Sequence, residues 1–577
     1  MNLDQEKRVM LAFTLSIAVF ILFRVFFLKE PPPEPKKASP AATAATNAPK
    51  AEAKPSGVSA PAALPVLQGA KPEEIVVESK LYRIKFSTQG AVIKSWVLKK
   101  YLDASDQPLD TVNGPACESL GFPMSVDMPN ATLKSQLNQG IYVPEALEPG
   151  KGGAAFNPVE SKLAPPVSLT FTYSDGKIQA KKRFSFGADY TVKADVRVSE
   201  GQQYVPVTVT WPGGFGDHTL SPALIESARL AVYGSTDHLS TTAQSKVKEE
   251  TTLPGPLQLA GMEDKYFAGI FLPDNPDQVA FRLARQEWSP PNWTEKEKPR
   301  PLIAGLVGMQ PAPLDFRMVV APKSLEVLKA VSPPLDSIVD FGWFSMIAKP
   351  LFIPLRYIYE HWIHNWGWAI VILTILINSA MLPLRLKSLK SAQEMQKVAP
   401  IIKGIQDKYK SVKLNDPRKQ KMNEEIMKVY SEHGINPLGS CVPMLLQMPF
   451  LIGFYRMLDV AIELRHAHWI LWVTDLSAPD RLVVAGVGIP VLVILMTVAT
   501  FFMQKMTPMA TVDPSQQRMM MMMPLFYAFL FYRLASGMVL YWLTSSLVQI
   551  VQQYFINRHM PPSAALPVQR KAAEAKG

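Results

Sequence analysis

Polar side chains recur at helical spacing inside stretches that are otherwise apolar, and their types and positions invite a chemical reading. Thr374, Asn378 and, one residue past the end of the run 366–384, Arg385 stand at i, i+4 and i+11, on one helical face. Tyr541, Ser545, Gln549 and Gln552 share a face of the run 537–556, with Trp542, Ser546 and Gln553 beside it. Gln447 lies in the first half of the run 441–462 and Arg456 in the second. Hydroxyls, amides and a guanidinium in such places either bond helices to one another or line a wetted groove where hydrocarbon otherwise excludes water. For Ser545 and Ser546 both uses stand open; Asn378 and the glutamines read as groove lining.

The sequence offers no covalent chemistry. No nucleophile–base constellation or Gly-rich phosphate loop stands out, and Cys117 and Cys441 are the only cysteines, so no disulfide framework or CxxC metal spacing exists. His361 and His364 have only Glu360 nearby as a further ligand and read as interface histidines. We expect no metal and no cofactor. The run Met519 to Met523 suits contact with varied apolar segments and ordinary gap-filling equally well.

Elements of two kinds must carry these residues. Apolar runs at 9–28, 366–384, 441–462, 483–504, 519–535 and 537–556 have the length of membrane spans, whereas 30–335 holds none. The run 9–28 follows Lys7 and Arg8 and lacks a small-residue cleavage site at Lys29-Glu30-Pro31, so residues 1–28 read as a retained anchor. Residues 29–72, rich in Pro, Ala and Lys, read as a linker. Alternation then takes over: Tyr82, Ile84 and Phe86; Leu169, Phe171 and Tyr173 before the turn Asp175-Gly176; Tyr190, Val192, Ala194, Val196 and Val198; Val205, Val207 and Val209. This predicts an antiparallel β-sandwich over 73–325. From Ile338 an aromatic stretch predicts an amphipathic helix lying at the membrane interface.

Residues 385–436 carry 12 Lys/Arg against 6 Asp/Glu, so this loop is expected in the cytoplasm. Met395, Val398, Ile402, Ile405, Ile426 and Val429 predict a helical hairpin there, broken at Asn415-Asp416-Pro417. Alternation of spans then puts both termini inside and the β domain outside. The net charge of +11 suits anionic partners such as phospholipid headgroups or RNA.

The strings 436–443 (NPLGSCVP), 447–449 (QMP), 504–508 (QKMTP), 513–517 (DPSQQ) and 536–542 (SGMVLYW) resemble, in order and spacing, the YidC/Oxa/Alb membrane protein insertase family. With the anchor, linker and β domain the likeness extends to the Gram-negative YidC form. It implies an α-helical membrane core of five helices over 336–560, beside the N-terminal anchor and the periplasmic β-sandwich, and a short cytoplasmic tail over 561–577. It further implies a hydrophilic groove open to cytoplasm and lipid, and no enzyme activity. Partners implied are nascent membrane proteins, the SecYEG translocon and, through the basic loops, the ribosome or signal-recognition machinery, at the bacterial inner membrane.

The likeness also implies a groove arginine in the second span, where this chain has Asn378. Arg456 is the replacement expected from sequence; it sits roughly 7 Å outward of its span's midpoint, within a long side chain's reach. A local pair with Asp459 or outward snorkelling competes with that role. Two other functions compete overall: a secondary transporter or channel, which calls for paired intramembrane carboxylates or inverted repeats that are not seen here, and a membrane-anchored periplasmic β-domain enzyme.

Overall fold

The computed structural model describes residues 64–148, 155–159, 162–219, 229–286, 288, 301–409, 416–435, 442–507 and 514–559. The anchor, most of the linker, the motif positions 436–441, residues 508–513 and the tail lie outside the described residues; of 388, 419, 442–447 and 514–518 only the backbone path is described.

Alternating apolar residues build the periplasmic-type domain. In the strand Tyr82–Ser87, Tyr82, Ile84 and Phe86 turn inward, and in Thr191–Glu200 Val192, Ala194, Val196 and Val198 do. The strands Val167–Ser174 and Ile178–Phe186 pair antiparallel around Asp175-Gly176. There the Asp175 carboxylate accepts from the N–H groups of Lys177 and Ile178, and Gly176 takes φ +95°. Among the described residues of this domain the strands form three antiparallel sheets, of ten, five and four strands. Phe86 of the four-stranded sheet packs on Phe171 and Phe184 of the ten-stranded one; Trp96 meets Trp211, and Tyr233 meets Phe281, on the five-stranded one. The β-sandwich expected from the sequence is therefore present.

Three details differ from the reading. Leu67 pairs with Ser174, and the Gly69 N–H bonds the Ile141 carbonyl, so the end of the expected linker is part of this domain. The Val205–Val209 alternation is split at Pro206 between two sheets, Gln203–Tyr204 in one and Thr208–Trp211 in another. Two short helices, α1 (Gly114–Leu120) and α2 (Ala131–Gln139), stand where only strands were expected. Asn113 and Asn130 cap them, each accepting from a backbone N–H three residues on.

After the strand Leu314–Pro322 come α3 (Leu325–Lys329) and α4 (Ser345–His361). Helix α4 buries Ala348, Phe352, Leu355 and Ile358 while exposing Met346, Ile353 and Tyr357, the two-faced pattern expected of an interfacial helix. The rest of the core is α5 (Trp366–Ala380), α6 (Leu382–Lys408), α7 (Arg418–Glu432), α8 (Val442–Val460), α9 (Val491–Met506), α10 (Pro514–Phe531) and α11 (Ser536–His559). Helices α6 and α7 form the basic hairpin, closed by Met395, Val398, Ile402 and Ile435 with Ile426 and Val429 packed against them. Helix α11 is central: it packs on α5, α8 and α9. Gly453 permits α8 to approach α4, because a Cβ there would lie 2.7 Å from Ile347.

Among the described residues no single helix is long and apolar enough to cross a membrane; α5 and α6, bent by 48° where they meet, satisfy length and composition as a pair. Pro383 in the first turn of α6 fits that break. The run 483–504 does not become one helix. Its first residues form a β-hairpin, Leu482–Val484 with Val487–Ile489, and the helix starts at Val491.

Ion pairs hold the β domain on the core. Arg465, in the α8–α9 connection, meets Asp217 at 2.6 Å with both side chains buried, donates to the Leu102 carbonyl at 2.8 Å, and sits over the rings of Tyr266 and Phe267. Lys265 pairs with Asp459 at 2.8 Å, and Arg356 of α4 with Glu326 of α3 at 2.6 Å. Behind Asp217, Arg229 donates to His218 Nδ1 at 2.6 Å. A guanidinium only donates, so this imidazole carries its proton on Nε2, facing the Thr111 carbonyl at 3.3 Å. Burial, and then the Arg229 charge, hold the His218 pKa well below the ordinary imidazole value; burial brings Arg229 down to about 10.

Candidate functional site

The polar residues of α5 and α11 meet. Ser545 donates to Asn378 Oδ1 at 3.2 Å, and Gln549 donates to Ser545 Oγ at 3.0 Å. Gln552 Nε2 donates to the Asn378 carbonyl at 3.3 Å, and its Oε1 accepts from Arg385 Nη1 at 3.0 Å. Four side chains from sequence positions far apart thus join Arg385 in one seam. The common direction of α5 and α11 makes this possible. Arg385 lies seven residues past Asn378 and Gln552 seven past Ser545, so both advance by roughly 10 Å along their helices and meet at the same offset as the Ser545–Asn378 pair.

Asn378, Arg385, Gln549 and Gln552 are half-buried, whereas Ser545 and Thr374 are buried. The seam is therefore half-exposed at its α6 end and closed further in at Ser545 and Thr374. Among the described residues Arg385 makes no ion pair with a carboxylate, and the Gln552 amide oxygen is its hydrogen-bond acceptor. A second polar track runs between α9 and α11. Thr500 meets Ser546 at 3.2 Å, Gln553 donates to Asn557, and Asn557 donates to the Met506 carbonyl. Gln504 Oε1 and Gln553 Oε1 are buried without a hydrogen-bond partner among the described residues. Such oxygens call for a donor, and water is the usual one.

The other predicted residues sit elsewhere. The Thr374 hydroxyl donates to its own helix at the Ile370 carbonyl, 2.6 Å away, and offers nothing to a groove. Tyr541 stacks on Phe454 of α8 with ring centroids 4.1 Å apart. Trp542 packs against Tyr527 and Phe531 of α10. Both are packing aromatics beside the seam. The Gln447 side chain lies outside the described residues. Arg456 is not brought to the seam: it is exposed, lies beside Gly342 ahead of α4, and leaves Asp459 to Lys265. Rotation explains this. The face of α8 that turns to α11 carries Phe454, and Arg456, two residues on, points about 200° away. Ser545 and Ser546, for which two uses stood open, each bond a neighbouring helix.

Sequence reasoning placed Arg385 on the right face without giving it the charge's role, and it passed over Thr500, Gln504 and Asn557. The signal was present in Thr500 and Gln504, at i and i+4 within an apolar run.

The comparisons with known proteins point one way. The family described as 60Kd inner membrane protein matches residues 358–563, and the YidC periplasmic domain matches 74–354. A membrane protein insertase YidC of Pelobacter propionicus is 33% identical over 582 residues, covering 96% of this chain and 99% of its own. The chain belongs to the YidC family of membrane protein insertases. The insertase YidC of Syntrophus aciditrophicus is 31% identical with the same coverage of both chains. The crystal structure of an active YidC insertase with its first transmembrane domain resolved aligns over 86% of this chain and 95% of that one, at 18% identity and a TM-score of 0.35. Like its family the chain is an inner-membrane protein that inserts membrane proteins, and the family's members are insertases rather than enzymes.

Proposed function

We propose that the α5–α11 seam is the hydrophilic groove that receives the polar tail of a client during insertion, and that Arg385 supplies its positive charge. The observation that carries this is the Arg385–Gln552–Asn378–Ser545–Gln549 chain, half-exposed at Arg385, Gln552 and Gln549 and closed at Ser545. Moving a charged residue through the bilayer centre costs about 2.5–3.5 kcal/mol on insertion scales. A wet seam part-way across shortens the apolar path, and a guanidinium at its mouth attracts acidic tails. No bond is made or broken, and no nucleotide is needed.

The rest of the topology follows from the basic α6–α7 hairpin, which stays in the cytoplasm and suits a ribosome or signal-recognition partner. The β domain and the Arg465 connection then lie in the periplasm, both termini inside, with the SecYEG translocon as a working partner and anionic lipid around the interfacial α4. A photo-crosslinker placed at 549 or 552 in the full chain tests the groove. During insertion it should capture the client's tail, and one at 456 should not. Capture from 456 with none from 549 and 552 would move the client path to the other side of α8.

A further inference from the structure

The β-hairpin Leu482–Val484/Val487–Ile489 stands immediately before α9, and its shape is fixed from below. Asp480 is buried and accepts from the Trp472 indole at 2.7 Å and from the Leu492 N–H. Just ahead of it, Ser536 at the start of α11 donates to the Ala478 carbonyl at 2.7 Å, and Pro479 bridges to Ala535. At the tip Ala485 and Gly486 both take positive φ, +49° and +80°, the pair of conformations that matches the twist of a two-residue hairpin. What this rigid finger displays is apolar. Val483 is 68% exposed, Val484 50% and Val487 65%, and from Leu482 to Pro490 no side chain can ionise or hydrogen-bond. A two-stranded hairpin with bare valines is marginal in water, so something covers it.

Length says what. Helix α9 has 16 residues, roughly 24 Å of helix, against a hydrocarbon core of about 30 Å. Three residues per strand add roughly 10 Å of apolar surface at its outer end. The exposed side of α9 is itself lipid-like, with Ile494, Val498 and Phe502 on it. We propose that this hairpin is a lipid-binding element: it inserts among the acyl chains of one leaflet, completes the span that α9 leaves short, and sets the depth of α9 against the seam's α11.

The test uses the full chain in phospholipid nanodiscs, with an environment-sensitive fluorophore attached through Val484→Cys in a Cys117→Ser/Cys441→Ser background. Lipids carrying a spin label high on the acyl chain should quench the probe, and iodide in the buffer should not. Quenching by iodide alone would place the hairpin in water, and quenching by neither would place it under protein, such as a second copy; either result overturns the proposal. The same pair of quenchers read from Val487→Cys on the other strand decides the matter if the first variant fails to fold. The readout needs no client and no vesicle orientation, so its failure is separable from failure of the groove reading.

Discussion

Arg385 and Arg456 show how far a side chain's place can be inferred from spacing. Both are arginines in or beside apolar runs, and by spacing alone both fall within reach of a position where the family resemblance implies a charge. The deciding facts are the rotation of α8 and the parallel course of α5 and α11, which lie outside the pattern. Arg385→Ala should lower insertion of a client with an acidic tail on the order of tenfold, the worth of one charge-assisted contact. Arg456→Ala should change it little, because that side chain faces out beside Gly342. Asn378→Arg in the Arg385→Ala background should recover most of the loss. Insertion rates of the three variants, measured at equal protein level, check this. A different residue gives a pH dependence. His218 is neutral in the fold with its pKa held well below 6.5, so the unfolded chain binds the extra proton as pH falls. The stability this group permits is whole above pH 6.5 and is lost below it, at a slope of at most about 1.4 kcal/mol per pH unit. The melting temperature should therefore fall between pH 7 and pH 5, and less so in His218→Gln.

At the scale of elements, what was legible followed from periodicity. Period-two alternation gave the strands around Tyr82, Leu169 and Val192, and a heptad-like face gave the α6–α7 hairpin with Met395, Val398 and Ile402 inside it. What was not legible depended on local bonds or distant partners. The helices α1 and α2 rest on one asparagine cap each, and the false start of a span at 483 rests on Ala485-Gly486 folding the chain back. The Arg465–Asp217 pair joins residues 248 apart, and neither has a local signal. Removing one partner of a buried pair leaves an uncompensated charge. Arg465→Ala should thus cost about 3–5 kcal/mol of stability, visible as a lower melting temperature of the purified chain, while Lys265→Ala, whose pair is partly exposed, should cost much less.

At the scale of the whole molecule, the β domain and the helices share one continuous apolar core through Leu335, Ile338, Val339 and Phe341. Even so, the polar seam is built from α5, α6 and α11 alone. Deleting residues 73–325 while keeping the chain from 336 onward should leave insertion largely intact, since Arg465 and Asp459 then face water rather than a buried void; abundance in the membrane together with insertion rate checks this. If a charged, half-exposed seam carries polar tails into the bilayer, reconstitution should show it. The purified chain alone, in proteoliposomes, is given a single-span client whose translocated tail is either acidic or neutral, and protease protection of that tail is scored. Both tails should be protected with the unaltered chain, and with Arg385→Ala the loss should be confined to the acidic one. Equal protection of the acidic tail by the unaltered chain and by Arg385→Ala would contradict it.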